Sequence, residues 1–335
     1  MAAKAGVGTT TVSRVINGGE RVSPETLARV LQVIDDLGYT PNQAARTLKG
    51  HRTKTIGLVI PSIADPFFAS CAEAAQAVAR ANDSLLIVTT TQNDTKTEIE
   101  SLDVLIRHRA DGLLITPASS ENVPLSDLLS RLLIPVVSID RPIHDSSVVS
   151  VGADNYHGAR IATEHLIAHG YKRILCLTGE ASFYTISERI KGYRKTMEGA
   201  GLECILDTSV IDYASTEAAI RKALAHANPP DAIFSLKNST TIYAFEALQK
   251  LNVAIPESIA LLGFDDFELA STLRPSITVV EQPVGEIARI AAELLFSMLF
   301  DRKKSRRQAG SRHGKVVKLE THLIKRSSCG CVAEA

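Results

Sequence analysis

Tryptophan is absent from this 335-residue sequence, and aromatic residues make up only 5% of it. A composition with seven tyrosines, nine phenylalanines and no tryptophan gives no support to a carbohydrate-processing cleft. No apolar run approaches the roughly 18 residues that a membrane-spanning helix needs, and the first residues contain no hydrophobic signal core. We therefore expect a cytoplasmic protein without a membrane partner.

Cysteine is also scarce, since five residues in a chain of this length do not form a disulfide framework. Cys71, Cys176 and Cys204 lie in apolar segments, where a free thiol packs as a small hydrophobe. A metal or redox role is open to Cys329 and Cys331, but one Cys-x-Cys without a partner His or Cys is a weak signal. The sequence predicts neither a metal site nor a cofactor.

Neither sign of charge dominates, because 37 Lys and Arg residues balance 37 Asp and Glu residues. This balance excludes a uniformly basic protein of the kind that coats nucleic acid. The distribution is uneven, however, because residues 1–54 carry eight basic and four acidic side chains. A second basic run, from Arg302 to Lys318, is interpreted as a solvated loop.

Three short helices are predicted in the first forty residues. The first covers Ala2 to Ala5 and ends at Gly6, and the second, in TTTVSRVINGG, ends at Gly18. The third begins after Ser23, whose side chain is suited to cap a helix that starts with proline. We expect these side chains to face the interior: Val12, Val15 and Ile16 of the second helix, and Leu27, Val30, Leu31, Ile34 and Leu37 of the third.

A tight turn with glycine between two helices is typical of helix-turn-helix units, whose second helix enters the DNA major groove. An ordinary helical hairpin has the same pattern. The candidate base-contacting residues are the polar ones of the second helix: Thr9, Thr10, Thr11, Ser13, Arg14 and Asn17. Lys4, Arg46 and Lys49 are candidates for phosphate contacts.

From Thr55 onward, short apolar runs alternate with helical stretches, which is the pattern of parallel sheets with crossover helices. The predicted strands are TIGLVIP, SLLIVTT, DGLLIT, IPVVSID, RILCLTG, DAIFSL, IALLGFDD and SITVVEQ. Four such units precede VVSVGADN and three or four follow it. The fold class is therefore α/β, with two similar lobes and a cleft at the carboxyl ends of their strands.

Asp140 ends the fourth predicted strand, where its carboxylate can accept hydrogen bonds from the hydroxyls of a ligand; a cap or turn role is the alternative.

Catalytic motifs are missing: Gly6-Val7-Gly8 follows no strand, and there is no nucleophile elbow or Walker loop. His165 and His169 have the spacing of two zinc ligands without an adjacent Glu, and we expect His169 to interact with a helix C-terminus. We interpret the chain as non-catalytic.

The whole sequence resembles the lactose-repressor/galactose-repressor (LacI/GalR) family of bacterial transcription regulators. The resemblance rests on AGVGTTTVSRVING, RVSPETLARVLQVIDDLGYTPN and AARTLKGHRTKTIGLVIP. It implies a helix-turn-helix headpiece (1–41), a hinge helix and linker (42–54), and a two-lobed core like that of periplasmic binding proteins (55–335). It also implies that lobe one comprises about 55–152 and 284–314, and lobe two about 153–283 and 315–326.

The hinge helix of the family folds on DNA and inserts a leucine into the minor groove, and Leu48 is the matching residue.

Two departures from the family occur in the headpiece. Family members carry several residues before the stretch that begins here at Met1, so we expect the natural start to lie upstream. Gly8 stands where the family has a serine that caps the recognition helix; glycine caps only slightly less well.

The resemblance also implies the effector-binding residues. Phe68 falls where the family has an aromatic that faces the ligand, and Phe67 is a weaker candidate. The remaining matches are Arg189, which corresponds to a ligand-clamping arginine, Tyr213, which corresponds to a stacking aromatic, and Asp265, which corresponds to a direct ligand contact. Lys237 falls on the pocket asparagine of the family. Together with Arg189 it suggests an anionic or phosphorylated ligand, unless it pairs with Asp265 or Asp140.

The expected function is that of a sequence-specific transcriptional regulator, a repressor, which binds double-stranded DNA at a near-palindromic operator. A small polar effector, a sugar or a sugar acid, would bind between the lobes and control operator affinity. The expected assembly is a homodimer, with a tetramer left open. The alternative is a solute (sugar) binding protein without DNA-binding activity, which would require an export signal.

Overall fold

The computed structural model describes residues 1–16, 22–39, 52–143, 147–300 and 315–331. The chain divides into two compact units, Met1–Thr53 and Lys54–Ala335. Four predicted DNA-contacting residues, Asn17, Arg46, Leu48 and Lys49, lie outside the described residues, as does the basic segment 302–314. No helix in the described ranges is both long enough and apolar enough to cross a membrane.

The first unit contains the three predicted helices: α1 (Ala2–Ala5), α2 (Thr9–Ile16) and α3 (Pro24–Asp36). Gly6 ends α1 with φ 62°, in the left-handed region that glycine adopts without steric cost. The Ser23 side chain accepts a hydrogen bond from the Thr26 N–H and so caps α3 as predicted.

A small apolar core holds these helices together. Its buried residues are Ala5, Val12, Val15 and Val30. The predicted inner stripe of α3 is wrong at two positions, because Leu31 is 49% and Leu37 is 40% exposed. Val33 packs against the core instead. At about 100° per residue, Leu31 lies roughly 100° around the helix from Val30, whereas Val33 lies roughly 60° from it.

In the described residues of the second unit, twelve strands form two six-stranded sheets. The strands are β1 (Thr55–Ile60), β2 (Leu85–Thr90), β3 (Gly112–Ile115), β4 (Val136–Ile139), β5 (Val149–Ala153), β6 (Ile174–Leu177), β7 (Ile205–Asp207), β8 (Ala232–Ser235), β9 (Ala260–Phe264), β10 (Thr278–Glu281), β11 (Val316–Leu319) and β12 (His322–Ile324). All eight predicted strands are among them.

Within the same described ranges, eight helices accompany these strands: α4 (Pro66–Ala81), α5 (Thr95–Arg107), α6 (Val123–Arg131), α7 (Asn155–Ala168), α8 (Tyr184–Gly199), α9 (Tyr213–Leu224), α10 (Asn238–Lys250) and α11 (Val284–Phe300). Apolar clusters lie on both faces of each sheet. The central strands β3 and β9 are therefore buried along their whole length, as is typical of parallel sheets covered by helices on both faces.

The two sheets have the same topology. The order is β11-β5-β4-β3-β1-β2 in the first lobe and β12-β10-β9-β8-β6-β7 in the second. Every pair is parallel except β12 with β10. This confirms the predicted pair of doubly wound lobes.

As far as the structure describes the chain, it passes between the lobes three times, and one predicted boundary is wrong. The first two crossings follow β5 and β10, close to the predicted positions. The family resemblance places the third at about residue 315, where the second-lobe segment 315–326 would begin. Residues Val316–Leu319 instead pair with β5 of the first sheet, so the crossing lies between Leu319 and His322. The local pattern of this four-residue segment, Val-Val-Lys-Leu, fits the edge of either sheet, and only the observed strand pairing decides between them.

Candidate effector-binding cleft and DNA-binding helices

A cavity of about 410 Å³ lies between the carboxyl ends of the strands of the two sheets. This volume is within the range of roughly 300–1,000 Å³ that is usual for small-molecule sites. Both lobes contribute charged residues to its lining: Asp65, Asp140 and Arg141 from the first, and Glu180, Arg189, Lys237 and Asp265 from the second.

Five of the six predicted effector residues line this cavity: Phe68, Asp140, Arg189, Lys237 and Asp265. Phe68 is also part of the first-lobe core and is 5% exposed, while its neighbour Phe67 is half-buried and lines the cavity too. Phe67 therefore presents more accessible surface to a ligand than Phe68, the residue that the family resemblance favours.

Tyr213 is not among the residues that line the cavity. It lies in the first turn of α9, and its ring packs edge-on against Tyr243 of α10, with the ring centroids 6.4 Å apart. The Lys250 Nζ lies 5.3 Å from the centre of the same ring. Neighbouring helix α10 thus covers the apolar ring, and the predicted stacking role for Tyr213 finds no support in its position.

Arg189 is held by α8 with only 4% of its surface exposed. Its Nε donates to Asn155 Oδ1 over 2.7 Å, and its Nη1 donates to the Leu236 carbonyl over 2.6 Å. The guanidinium also stacks on the Phe264 ring at 3.7 Å. These contacts fix the plane of the guanidinium, and Nη2 forms no hydrogen bond with the described residues, so it can donate to a ligand.

Asp140 is 8% exposed and faces the cavity beside Arg141. Arg141 Nη1 donates to Asn93 Oδ1 over 2.7 Å, and its Nε lies 3.6 Å from Asp140 Oδ2, too far for a hydrogen bond. Burial raises the pKa of the Asp140 carboxyl above its ordinary value, while Arg141 and Arg189 oppose this shift. Burial likewise raises the pKa of Asp65.

Lys237 precedes α10, and its Nζ lies 3.4 Å from Glu180 Oε2. Lys237 therefore pairs with neither Asp265 nor Asp140, the two partners that the sequence suggests. Its partner is Glu180, which the sequence analysis does not identify as a site residue. Asp265 instead accepts from Arg189 Nη1 at 3.4 Å and from Gln282 Nε2.

The sequence reasoning missed several other residues of the cavity, namely Arg141, Glu180, Phe183 and Gln282. Arg141 directly follows Asp140 at the end of a predicted strand, so the same argument that predicts Asp140 as a cavity residue also applies to Arg141. Two buried polar atoms of this group, Arg141 Nε and Gln282 Oε1, have no hydrogen-bond partner among the described residues. Such atoms are costly unless a ligand or water bonds to them.

The candidate recognition helix α2 has an exposed polar face. Thr9, Thr10 and Arg14 are exposed, whereas Thr11 and Ser13 are half-buried. Val12 and Val15 hold the opposite face in the core of this unit. Lys4, at the end of α1, is exposed as well. The arrangement gives α2 a polar surface of the size that a major groove admits.

Comparison with known proteins explains both units. Residues 53–327 match the family described as periplasmic binding proteins and sugar binding domain of LacI family. Residues 1–42 match bacterial regulatory proteins of the lacI family, which decides between a regulator and a solute-binding protein. The chain belongs to the LacI family. It is a DNA-binding transcriptional regulator that is controlled by a small-molecule effector.

Two curated relatives in this family are named as repressors. The chain is 32% identical to the HTH-type transcriptional repressor PurR of Photobacterium profundum, over 92% of this chain and 93% of that protein. It is 31% identical to the ribose operon repressor of Escherichia coli, over 87% and 89%. A solved structure, described as the transcriptional regulator CelR in complex with cellobiose, superposes with a TM-score of 0.72 at 30% identity and covers 98% of both chains.

Proposed function

We propose that this LacI-family protein is a repressor that binds a near-palindromic operator as a homodimer. We further propose that its effector is a neutral sugar, bound in the cavity between the lobes by Asp140, Arg189, Asp265 and the ring of Phe67. Because the operator is chromosomal DNA, we place the protein in the cytoplasm, and the proposal contains no catalytic step.

The pairing of charges in the cavity carries the proposal of a neutral ligand. Each cation lies beside a carboxylate: Arg141 beside Asp140 at 3.6 Å, Arg189 beside Asp265 at 3.4 Å, and Lys237 beside Glu180 at 3.4 Å. Asp65 adds a further carboxyl group. An anionic ligand would have to displace one of these carboxylates, whereas sugar hydroxyls can donate to them and accept from the free Arg189 Nη2.

Two relatives support a sugar in general terms. One curated relative is a repressor of a ribose operon, and one similar structure contains cellobiose. A sugar needs many polar partners around its ring, which matches the charged lining of this cavity.

Control of DNA binding follows from linkage. A ligand that contacts both lobes favours the arrangement in which both sets of contacts form. If that arrangement differs in operator affinity from the unliganded one, the ligand shifts operator binding by the same coupling free energy.

Two measurements test the proposal on the full chain. Selection from random duplex DNA should enrich sequences with two-fold symmetry and half-sites about one helical turn apart. Calorimetric titration with ribose, glucose and cellobiose should then identify a neutral sugar that binds at least about tenfold more tightly than gluconate or ribose 5-phosphate. Tighter binding of either charged compound would contradict a neutral effector, and enrichment without symmetry would contradict a dimeric operator complex.

A further inference from the structure

Two histidines and two cysteines that are distant in the sequence meet at the end of α7, in the second lobe. His165 lies in the last turn of this helix, and His169 is the residue that ends it. Cys329 and Cys331 belong to the C-terminal segment that follows β12. Neither pair lines the effector cavity.

The ligand atoms of His165, Cys329 and Cys331 converge, and His169 joins this group through Cys331. His165 Nε2 lies 3.2 Å from Cys329 Sγ and 3.5 Å from Cys331 Sγ, and His169 Nε2 lies 3.3 Å from Cys331 Sγ. The two sulfur atoms are 3.4 Å apart. The ligand atoms of His165, Cys329 and Cys331 all lie within 4.8 Å of one another.

These separations are close to those around a tetrahedral zinc ion. With Zn–S bonds of about 2.3 Å and Zn–N bonds of about 2.05 Å, neighbouring ligand atoms lie about 3.6 Å apart for N and S, and about 3.8 Å apart for two S atoms. The observed separations are shorter by a few tenths of an ångström. Small rotations of the side chains of His165, Cys329 and Cys331 would admit the ion, and His169 would turn toward it as the fourth ligand.

The surroundings orient the ligand atoms. His169 Nδ1 is 3.0 Å from the His165 carbonyl, a contact in which Nδ1 carries the proton and leaves the lone pair on Nε2. The Thr278 hydroxyl lies 3.0 Å from Cys329 Sγ and can donate to a thiolate. The Tyr171 hydroxyl donates to the Cys329 carbonyl over 3.2 Å and holds the C-terminal segment against the lobe.

We propose that His165, His169, Cys329 and Cys331 bind one Zn²⁺ in a structural site. Two thiols give up their protons to solvent when the ion binds, and two neutral imidazoles complete the coordination. Thiolate and imidazole ligands in a tetrahedral arrangement select zinc among the common divalent ions. Four protein ligands leave no position for substrate, so the site fastens the C-terminal segment to α7.

The site has a mechanical relation to the effector cavity. Helix α7 begins at Asn155, which accepts the hydrogen bond from Arg189 Nε. The proposed ion thus anchors one end of the helix whose other end positions a cavity residue. Zinc removal should nevertheless affect chiefly stability, because no ligand of the ion contacts the cavity.

Zinc content of the untagged full chain, purified in the presence of a thiol reductant and dialysed after addition of Zn²⁺, is the first test. We expect about one tightly bound zinc per chain. Cys331→Ser and His169→Gln should each remove most of it. Cys204→Ser and His226→Gln serve as matched controls, because both residues lie in the same lobe outside the cluster, and they should retain the zinc.

Two further readouts keep the test decisive. Cobalt substitution should give the absorption bands of a tetrahedral ion with thiolate ligands, and a chelator should lower the Tm of the parent protein by about 5 °C or more without affecting Cys331→Ser. If Cys331→Ser fails to fold, the exposed His169→Gln provides the same comparison. A reduced parent protein that binds no zinc, or a Cys331→Ser variant that keeps it, would overturn the proposal. A Cys329–Cys331 disulfide that persists in reductant would overturn it equally.

Discussion

Asp140 and Asp265 occupy equivalent positions in the two lobes. Each is the first residue after a central strand, with φ of 69° and 72°, and each donates its backbone N–H over 2.8 Å to the next strand, at Val151 and Val280 respectively. Each carboxylate also lies beside an arginine, Arg141 or Arg189. The left-handed backbone is uncommon for residues other than glycine, although aspartate tolerates it, and it turns both side chains to the cavity.

Arg189 is the residue on which effector binding should depend most. Arg189→Lys keeps the charge but loses the fixed guanidinium that bonds to Asn155 and Leu236. We expect sugar affinity to fall by about 100-fold, as measured by calorimetry, because hydrogen bonds to charged groups contribute about 1.5–3 kcal/mol. Arg221→Gln is the control, since Arg221 forms an exposed ion pair with Glu217. Unchanged affinity in Arg189→Lys would rule out the proposed contact.

Phe183 and Tyr213 should differ in their effect on sugar binding, because only Phe183 lines the cavity. Phe183 lines the cavity with the Arg141 guanidinium 4.2 Å above its ring, whereas Tyr213 packs against α10. We expect Phe183→Leu to weaken sugar binding by about tenfold and Tyr213→Leu, which also removes a ring, to leave it unchanged. A comparable loss in Tyr213→Leu would show that the ring reaches the ligand after all.

Operator recognition should distinguish base contacts from phosphate contacts. Arg14→Ala removes an exposed side chain of α2, and we expect specific operator affinity to fall by about 10- to 100-fold, with little effect on nonspecific DNA. Lys4→Ala should weaken both kinds of binding alike and reduce the slope of log affinity against log salt by about one. Fluorescence anisotropy over a salt series measures both effects. Equal losses on both DNAs for Arg14→Ala would assign that residue to the phosphates.

Stability of the headpiece should depend on Val30 and not on its neighbour. Val30 is completely buried, and Val30→Ala should destabilise this small unit by about 2 kcal/mol. Leu31 is half-exposed, and Leu31→Ala should cost about 0.5 kcal/mol or less. Hydrogen exchange of residues 1–39 in the full chain measures the difference, while sugar binding reports that the core is intact. Similar losses of protection in both variants would contradict the assignment of the inner face.

Acid should weaken effector binding at a pH above the ordinary aspartate range. Burial raises the pKa of Asp140 and of Asp65, so both take up protons earlier than an exposed aspartate as the pH falls. Protonation removes acceptors for sugar hydroxyls and leaves Arg141 without its counter-charge. Affinity is therefore full above the raised pKa values and is lost as the pH falls through them. Sugar titrations over a pH series should show this loss, and Asp140→Asn should reduce its steepness. An identical pH profile in that variant would assign the effect elsewhere.

Much of this structure could be predicted from local sequence. The eight apolar runs form strands, most of them buried on both faces, with the edge strand β2 more exposed. Ser23 caps α3 because its hydroxyl lies next to the Thr26 N–H. Asp140 and Asp265 could be predicted as cavity residues because they end central strands. The inner face of α3 was predicted less well, since Leu31 is apolar but lies at the edge of the buried stripe.

By itself, the sequence determined the elements, their alternation and the family, because periodicity, capping and motif spacing act over a few residues. Only the tertiary structure decided which distant side chains meet. Lys237 pairs with Glu180, 57 residues away, and the sulfur of Cys331 meets His165, 166 residues away. In the sequence, neither member of such a pair indicates its partner. Partners so far apart are chosen by the packing of helices and strands between them, which no local pattern encodes.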